Sequence, residues 1–143
     1  MTIPISADLL ELRPRFVKGT RYIREAAVSP SGARAVFGFR GEIITLPAEK
    51  GDSRNLTGTT GVHEKSPAWS PDGKNIAWFS DETGEVQLVI APQDGKGLPK
   101  KYSLPGTGFY AFPEWSPDGK FISYCDNGRN LYLIETATGK SSL

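Results

Sequence analysis

A single histidine, His63, and a single cysteine, Cys125, set the chemical limits of this chain. One cysteine excludes a disulfide framework within the chain and the usual thiolate zinc sites. One histidine removes most histidine-based metal and triad chemistry. His63 sits in Val62-His63-Glu64-Lys65 with no second histidine beside it, and it reads as a surface or channel-lining residue rather than a catalytic base. Cys125 lies in an apolar strand run and reads as buried packing. The Gly-x-Ser-x-Gly pattern of a serine nucleophile elbow does not occur. Gly106-Thr107-Gly108-Phe109-Tyr110-Ala111 imitates a dinucleotide fingerprint, yet Pro113 follows and no helical pattern begins, so the helix N-terminus that would hold a pyrophosphate is missing. Gly139-Lys140-Ser141 resembles the end of a phosphate loop, with Ile134 where the first glycine belongs. The expectation is no catalytic residue, no metal site and no cofactor.

The balance of charge points the same way. Seventeen Lys and Arg against sixteen Asp and Glu leave a net charge of +1, so no basic excess suggests a nucleic-acid partner. Hydrophobic residues at 38% and charged residues at 23% suffice for a packed core. No apolar run reaches the roughly 18 residues that span a bilayer. The first residues, Met1 to Asp8, lack the basic flank and apolar stretch of a secretory signal, which makes the cytoplasm the expected compartment.

Sixteen glycines and eleven prolines punctuate short runs of β-branched and aromatic residues, the pattern of an all-β chain with many turns. Self-comparison sharpens this. Ala27-Val28-Ser29-Pro30-Ser31-Gly32 returns as Ala68-Trp69-Ser70-Pro71-Asp72-Gly73 and again as Glu114-Trp115-Ser116-Pro117-Asp118-Gly119, at spacings of 41 and 46 residues. Periods in the forties with several short strands each are the signature of propeller blades. In each turn, proline pre-sets the first corner, Asp accepts backbone hydrogen bonds, and glycine takes the positive φ that leads into the next strand. Asp72 and Asp118 are therefore turn residues rather than metal ligands. Trp69 and Trp115 recur once per repeat and read as packing between sheets. Strands follow at Ala33 to Phe39, Asn75 to Ser80 and Phe121 to Cys125, then at Glu42 to Leu46, Val86 to Ala91 and Asn130 to Glu135. Outer strands are expected at Arg54 to Thr57 and Lys100 to Leu104, and the third repeat is expected to lack its own.

The runs Arg13-Pro14-Arg15-Phe16, Gly41 through Gly51, Arg54-Asn55-Leu56-Thr57, Ser66 through Lys74 and Ala77 through Glu85 resemble the N-terminal six-bladed propeller of tricorn proteases. The Ser-Pro-Asp-Gly repeat itself is shared with TolB-like propellers. The resemblance implies three propeller blades, half of a six-bladed ring, serving as a non-catalytic scaffold and filter through which peptides reach a protease. The catalytic serine, histidine and glutamate of that family lie in C-terminal domains to which nothing here aligns. The alternative is a TolB-like protein-interaction scaffold unrelated to proteolysis.

The expected layout is a closing strand at about 11–17, a first blade at about 20–58, a second at about 61–104 and a third at about 107–143. Inner strands line the channel of a propeller, which makes Arg21, Arg24, His63, Lys65, Phe109 and Tyr110 candidate peptide contacts, with Glu25, Glu64 and Phe112 beside them. Three blades leave two flanks bare. Two copies related by a two-fold axis would give six blades, each N-terminal strand finishing the partner's third blade, so a strand-exchanged homodimer is expected. The alternative is a piece of a longer protein whose missing blades cover these flanks. Peptides are the expected ligands, and neither nucleic acid nor membrane is an expected partner.

Overall fold

Short apolar runs separated by glycine-bearing turns can bury themselves only as sheets, and sheets are what form. The computed structural model describes Phe16 and residues 18–105 and 108–143. Three antiparallel four-stranded sheets account for every strand among them. The first contains β1 (Ile23–Val28), β2 (Arg34–Phe39), β3 (Glu42–Pro47) and β4 (Arg54–Asn55). The second contains β5 (Glu64–Trp69), β6 (Asn75–Ser80), β7 (Gln87–Pro92) and β8 (Lys100–Ser103). The third contains β9 (Tyr110–Trp115), β10 (Phe121–Asp126), β11 (Leu131–Glu135) and β12 (Ser141–Ser142). Strands neighbour one another in chain order within each sheet, and β5 lies against both β1 and β9. The first strands thus gather on one side while β4, β8 and β12 form the outer edges. These are three blades of a β-propeller.

One expectation is corrected and one falls outside view. The third blade has a fourth strand: the turn at Thr136–Thr138, closed by the Gly139 N–H on the Glu135 carbonyl at 2.7 Å, returns the chain so that Ser141 and Ser142 pair with Ile134 and Leu133. The expected closing strand falls on residues 11–15 and 17, outside the described residues.

Each recurring turn is closed in the same way. The glycine N–H bonds to the serine carbonyl at 2.8 Å for Gly32–Ser29, 2.9 Å for Gly73–Ser70 and 2.9 Å for Gly119–Ser116. Those glycines hold φ of +72, +68 and +71°, a region costly for residues with a Cβ. The serine hydroxyl then accepts the first N–H of the second strand, from Arg34, Asn75 and Phe121. Pro30, Pro71 and Pro117 are exposed at the corner. In the second and third blades the hydroxyl also donates to Asp72 at 2.6 Å and to Asp118 at 2.7 Å, and each carboxylate accepts the lysine N–H two residues on. These bonds, the serine's foremost, hold both carboxyls below the usual carboxylate range.

The core lies between blades. Val36 and Ile43 of the first meet Ile76, Trp78, Val89 and Ala91 of the second. Ala77, Phe79, Leu88 and Ile90 on the second blade's other face meet Tyr110, Ile122, Tyr124 and Ile134 of the third. Indole N–H groups tie each junction: Trp69 Nε1 donates to the Ala27 carbonyl and Trp115 Nε1 to the Ala68 carbonyl, both at 3.2 Å. The packing role inferred from their recurrence is thereby joined by a hydrogen bond.

Ser70 is 3% exposed, and its hydroxyl both accepts and donates. Ser70→Ala should destabilise the chain by roughly 1–3 kcal/mol, the cost of leaving buried polar groups unmatched. Urea unfolding followed by tryptophan fluorescence measures it, and an unchanged midpoint would remove the serine from the account.

Candidate functional site

Equivalent positions on β1, β5 and β9 stack in rows around the inner side of the fold. Their register is fixed by the shared turns, so Tyr22, His63 and Phe109 occupy one level. Ile23, Glu64 and Tyr110 form the next, opposite Phe39, Ser80 and Asp126, followed by Glu25, Lys65 and Ala111 opposite Gly38, Phe79 and Cys125. Arg24 bulges out of the first strand between these levels, whereas the other two bulge one step later, at Ser66 and Phe112. Alternation along a strand sends the second row into the junctions between blades.

That alternation corrects one candidate. Tyr110 is 1% exposed, not a channel contact. Its ring packs 6.0 Å from Phe79 and 5.7 Å from Tyr124 between the second and third blades, and its hydroxyl donates to the Pro105 carbonyl. Glu64 occupies the matching position between the first two blades, 4% exposed. Thr59 donates to its Oε1 at 2.8 Å, while Oε2 is buried without a hydrogen-bond partner. Burial, with Glu42 and Glu82 adding like charge, pushes the Glu64 carboxyl above its ordinary range. Ile23 holds the same position in the first blade and is 42% exposed, because no blade precedes it among the described residues.

Of the remaining candidates, all but the Lys65 ammonium stay near solvent; that Nζ is buried without a hydrogen-bond partner. Arg21 is exposed, donates to the Tyr22 hydroxyl at 2.6 Å and lies over the same ring. Arg24 is exposed on β1. The His63 side chain is exposed, and its backbone N–H is held by Asp81 Oδ1 at 2.7 Å. Lys65 is half-buried with Nζ over the ring of Phe109, and burial lowers its pKa against the opposing pull of Glu25 and Asp81. Phe109 and Phe112 are 62% and 75% exposed.

The acidic groups near these cations are committed elsewhere. Glu25 accepts both the N–H and the hydroxyl of Ser66 across the first junction. Ser66 and Phe112 each sit at a register shift with φ +56°, followed by the buried Pro67 and Pro113. The bulge frees the Ser66 N–H from the ladder, and the carboxylate of Glu25 takes it. Sequence reading missed this tie, since nothing local to Glu25 marks a partner 41 residues away.

The other flagged motifs resolve simply. Gly106 and Thr107 lie outside the described residues, and Tyr110–Trp115 is a strand where a dinucleotide site would need a helix. Gly139-Lys140-Ser141 runs from a turn into the edge strand β12. Cys125, expected buried, is half-exposed, because it faces the uncovered side of the third blade. Among the described residues no three His, Cys, Asp or Glu side chains gather as a metal-binding group.

No family model matches the chain. It is 31% identical over 87 residues to Dipeptidyl-peptidase 5 of Porphyromonas gingivalis, covering 54% of this chain and 13% of that protein. It is 32% identical over 79 residues to the Tol-Pal system protein TolB of Hydrogenovibrio crunogenus, covering 46% of this chain and 18% of that one. In structure it is similar to a TolB from Agrobacterium tumefaciens, with a TM-score of 0.68 and 20% identity, over 84% of this chain and 45% of that one. TolB from Acinetobacter baumannii superimposes with a TM-score of 0.62 and 24% identity, over 82% and 31% of the two chains. The chain thus spans less than a fifth of these curated relatives and less than half of these solved propellers. The fold is that of a TolB-like β-propeller.

Glu64 supplies a test of the junction. A carboxyl whose pKa is raised on folding lowers stability as pH climbs from the ordinary carboxylate range through the raised value. Glu64→Gln keeps an acceptor for Thr59 and removes the buried charge. The variant should melt above the wild type at pH 7, with the gap closing towards acid pH. A gap that persists unchanged at acid pH would show that ionisation of Glu64 carries no cost.

Proposed function

We propose that this propeller segment is a non-catalytic, TolB-like protein-interaction scaffold, and that its inner-strand rim holds an extended, acidic or aromatic segment of a partner protein. One observation carries the reading: where the inner strands begin, Arg21, Arg24, Phe109 and Phe112 are exposed, while Glu25, Asp81 and Glu64 accept hydrogen bonds and the exposed Glu114 lies at the far end of β9. The rim therefore offers cations and aromatic faces to a ligand. Arginine and aromatic side chains suit weak contacts with many sequences, through ion pairing, stacking and cation–π attraction. The likeness to proteins named TolB supports a scaffold role.

A second reading keeps the same rim and changes its task. The sequence likeness to a dipeptidyl-peptidase, together with the tricorn resemblance, favours a propeller that guides peptides towards a protease domain. Both readings need peptide contact, and they differ in whether the contact is retentive or transient.

Fluorescence anisotropy with matched acidic and basic decapeptides, each carrying one aromatic residue, tests the proposal. The acidic peptide should bind saturably, more weakly as salt rises, and by a further factor of about two to five in Arg24→Ala, as expected for loss of one exposed ion pair. Equal binding of both peptides, or none at millimolar concentration, would refute the charge argument. Cleavage of either peptide by the purified chain would refute the non-catalytic role.

A further inference from the structure

The two junctions inside the chain obey one rule, and the bare flanks are the two halves of a third. Towards the next blade, a blade offers an inner-strand carbonyl and an apolar face: Ala27 with Val36 and Ile43, then Ala68 with Ala77, Phe79, Leu88 and Ile90. Towards the preceding blade it offers an indole and a second face: Trp69 with Ile76, Trp78, Val89 and Ala91, then Trp115 with Ile122, Tyr124 and Ile134. Strand register transfers both sets to the flanks. On the third blade, the receiving half is the Glu114 carbonyl with Ser123, Cys125, Leu131 and Leu133, the two leucines 62% and 42% exposed. On the first blade, the inserting half is Val28 with Phe37, Ile44 and Leu46, where Val28 is 67% exposed. A shallow apolar cleft of about 290 Å³ marks this face, lined by Ile23, Phe37, Phe39, Ile44, Leu46 and Ser53.

We propose that a second copy of this chain covers both flanks. The receiving face of each third blade docks on the inserting face of the partner's first blade, so that two equivalent junctions close a ring of six. The occupant follows from continuity with the internal junctions. The same chain presents one receiving and one inserting half, each apolar and in matching register, and six blades lie within the range that closed propellers adopt. Val28 sets the strength of this junction. Both internal junctions have tryptophan at the equivalent position, and valine gives the Glu114 carbonyl no N–H. Association between copies is therefore weaker and more reversible than the contacts within one.

Sedimentation equilibrium of the 143-residue chain is the test. A reversible equilibrium between 15.6 kDa and twice that mass is expected. Val28→Trp should tighten it by about fivefold or more, since a net hydrogen bond of roughly 0.5–1.5 kcal/mol forms at each of two junctions and 1.4 kcal/mol is a factor of ten. Val28→Phe adds a ring without a donor and should tighten it less, while Leu133→Asp should dissociate the pair. Val28 and Leu133 are both solvent-exposed, so near-ultraviolet circular dichroism should show each variant folded. Folded wild type and Val28→Trp that both stay monomeric at every concentration would overturn the proposal and assign these flanks to other blades than a second copy's. Equal tightening by Trp and Phe would overturn the role given to the indole. A dimer indifferent to Leu133→Asp would overturn the face.

Discussion

Everything in this molecule depends on one constraint: a twisted four-stranded blade has two apolar faces, and each needs a neighbour. The second blade meets it fully. Ile76 through Ser80 of β6 are buried without interruption, as are Leu88 through Ala91 of β7. Its neighbours meet it on one face only. In β2 and β10 burial alternates, with Val36 and Gly38, or Ile122 and Tyr124, inside while the residues between them are partly open. Burial of the side facing the second blade is the stabilising term, at about 25 cal/mol per Å² of apolar area removed from water. Phe37, Ile44 and Leu46 are equally apolar on the far side of the first blade.

Polar ties then fix how the wedges meet. Apolar faces can slide, whereas an indole N–H on one particular carbonyl cannot without losing its bond. The same geometry recurs at 3.2 Å in both junctions, with the turn that follows each tryptophan closed identically. The first junction gains a further tie from Glu25 to Ser66, at a bulge where the ladder has released an N–H. Such ties hold the inner strands in register, so that row by row the same level of each blade faces either a junction or the inner rim. That sorting decides which inner-strand residues stay open to solvent.

Much of the fold was legible in the residues. Three turns with shared Ser, Pro and Gly announced three sheets, and the alternation between them announced strands close to their observed limits. The outer strands were legible only roughly. Arg54–Asn55 ends two residues before its expected limit, and Ser141–Ser142 is paired where no strand was anticipated. Short edge strands carry almost no pattern of their own, since two residues have no period. The candidate site was legible as a level on the inner strands, and misread where one residue's step along the strand decides between rim and junction. Phe109 and Tyr110 are adjacent and both aromatic. One is 62% exposed and the other is at the centre of an aromatic cluster.

The amino-acid sequence alone determined what is local: which residues turn, which extend, how often the unit repeats, and how little histidine and cysteine chemistry the chain can carry. These depend on φ preferences and hydrogen bonds spanning a few residues, so they are written where they act. Tertiary structure decided what depends on a neighbouring blade. It paired Glu25 with Ser66, buried Glu64 with an unmatched oxygen, left Cys125 half open and set Trp69 on the Ala27 carbonyl. Each of those outcomes joins groups far apart in the chain, and the solvent exposure and charge state of a side chain are properties of what packs against it.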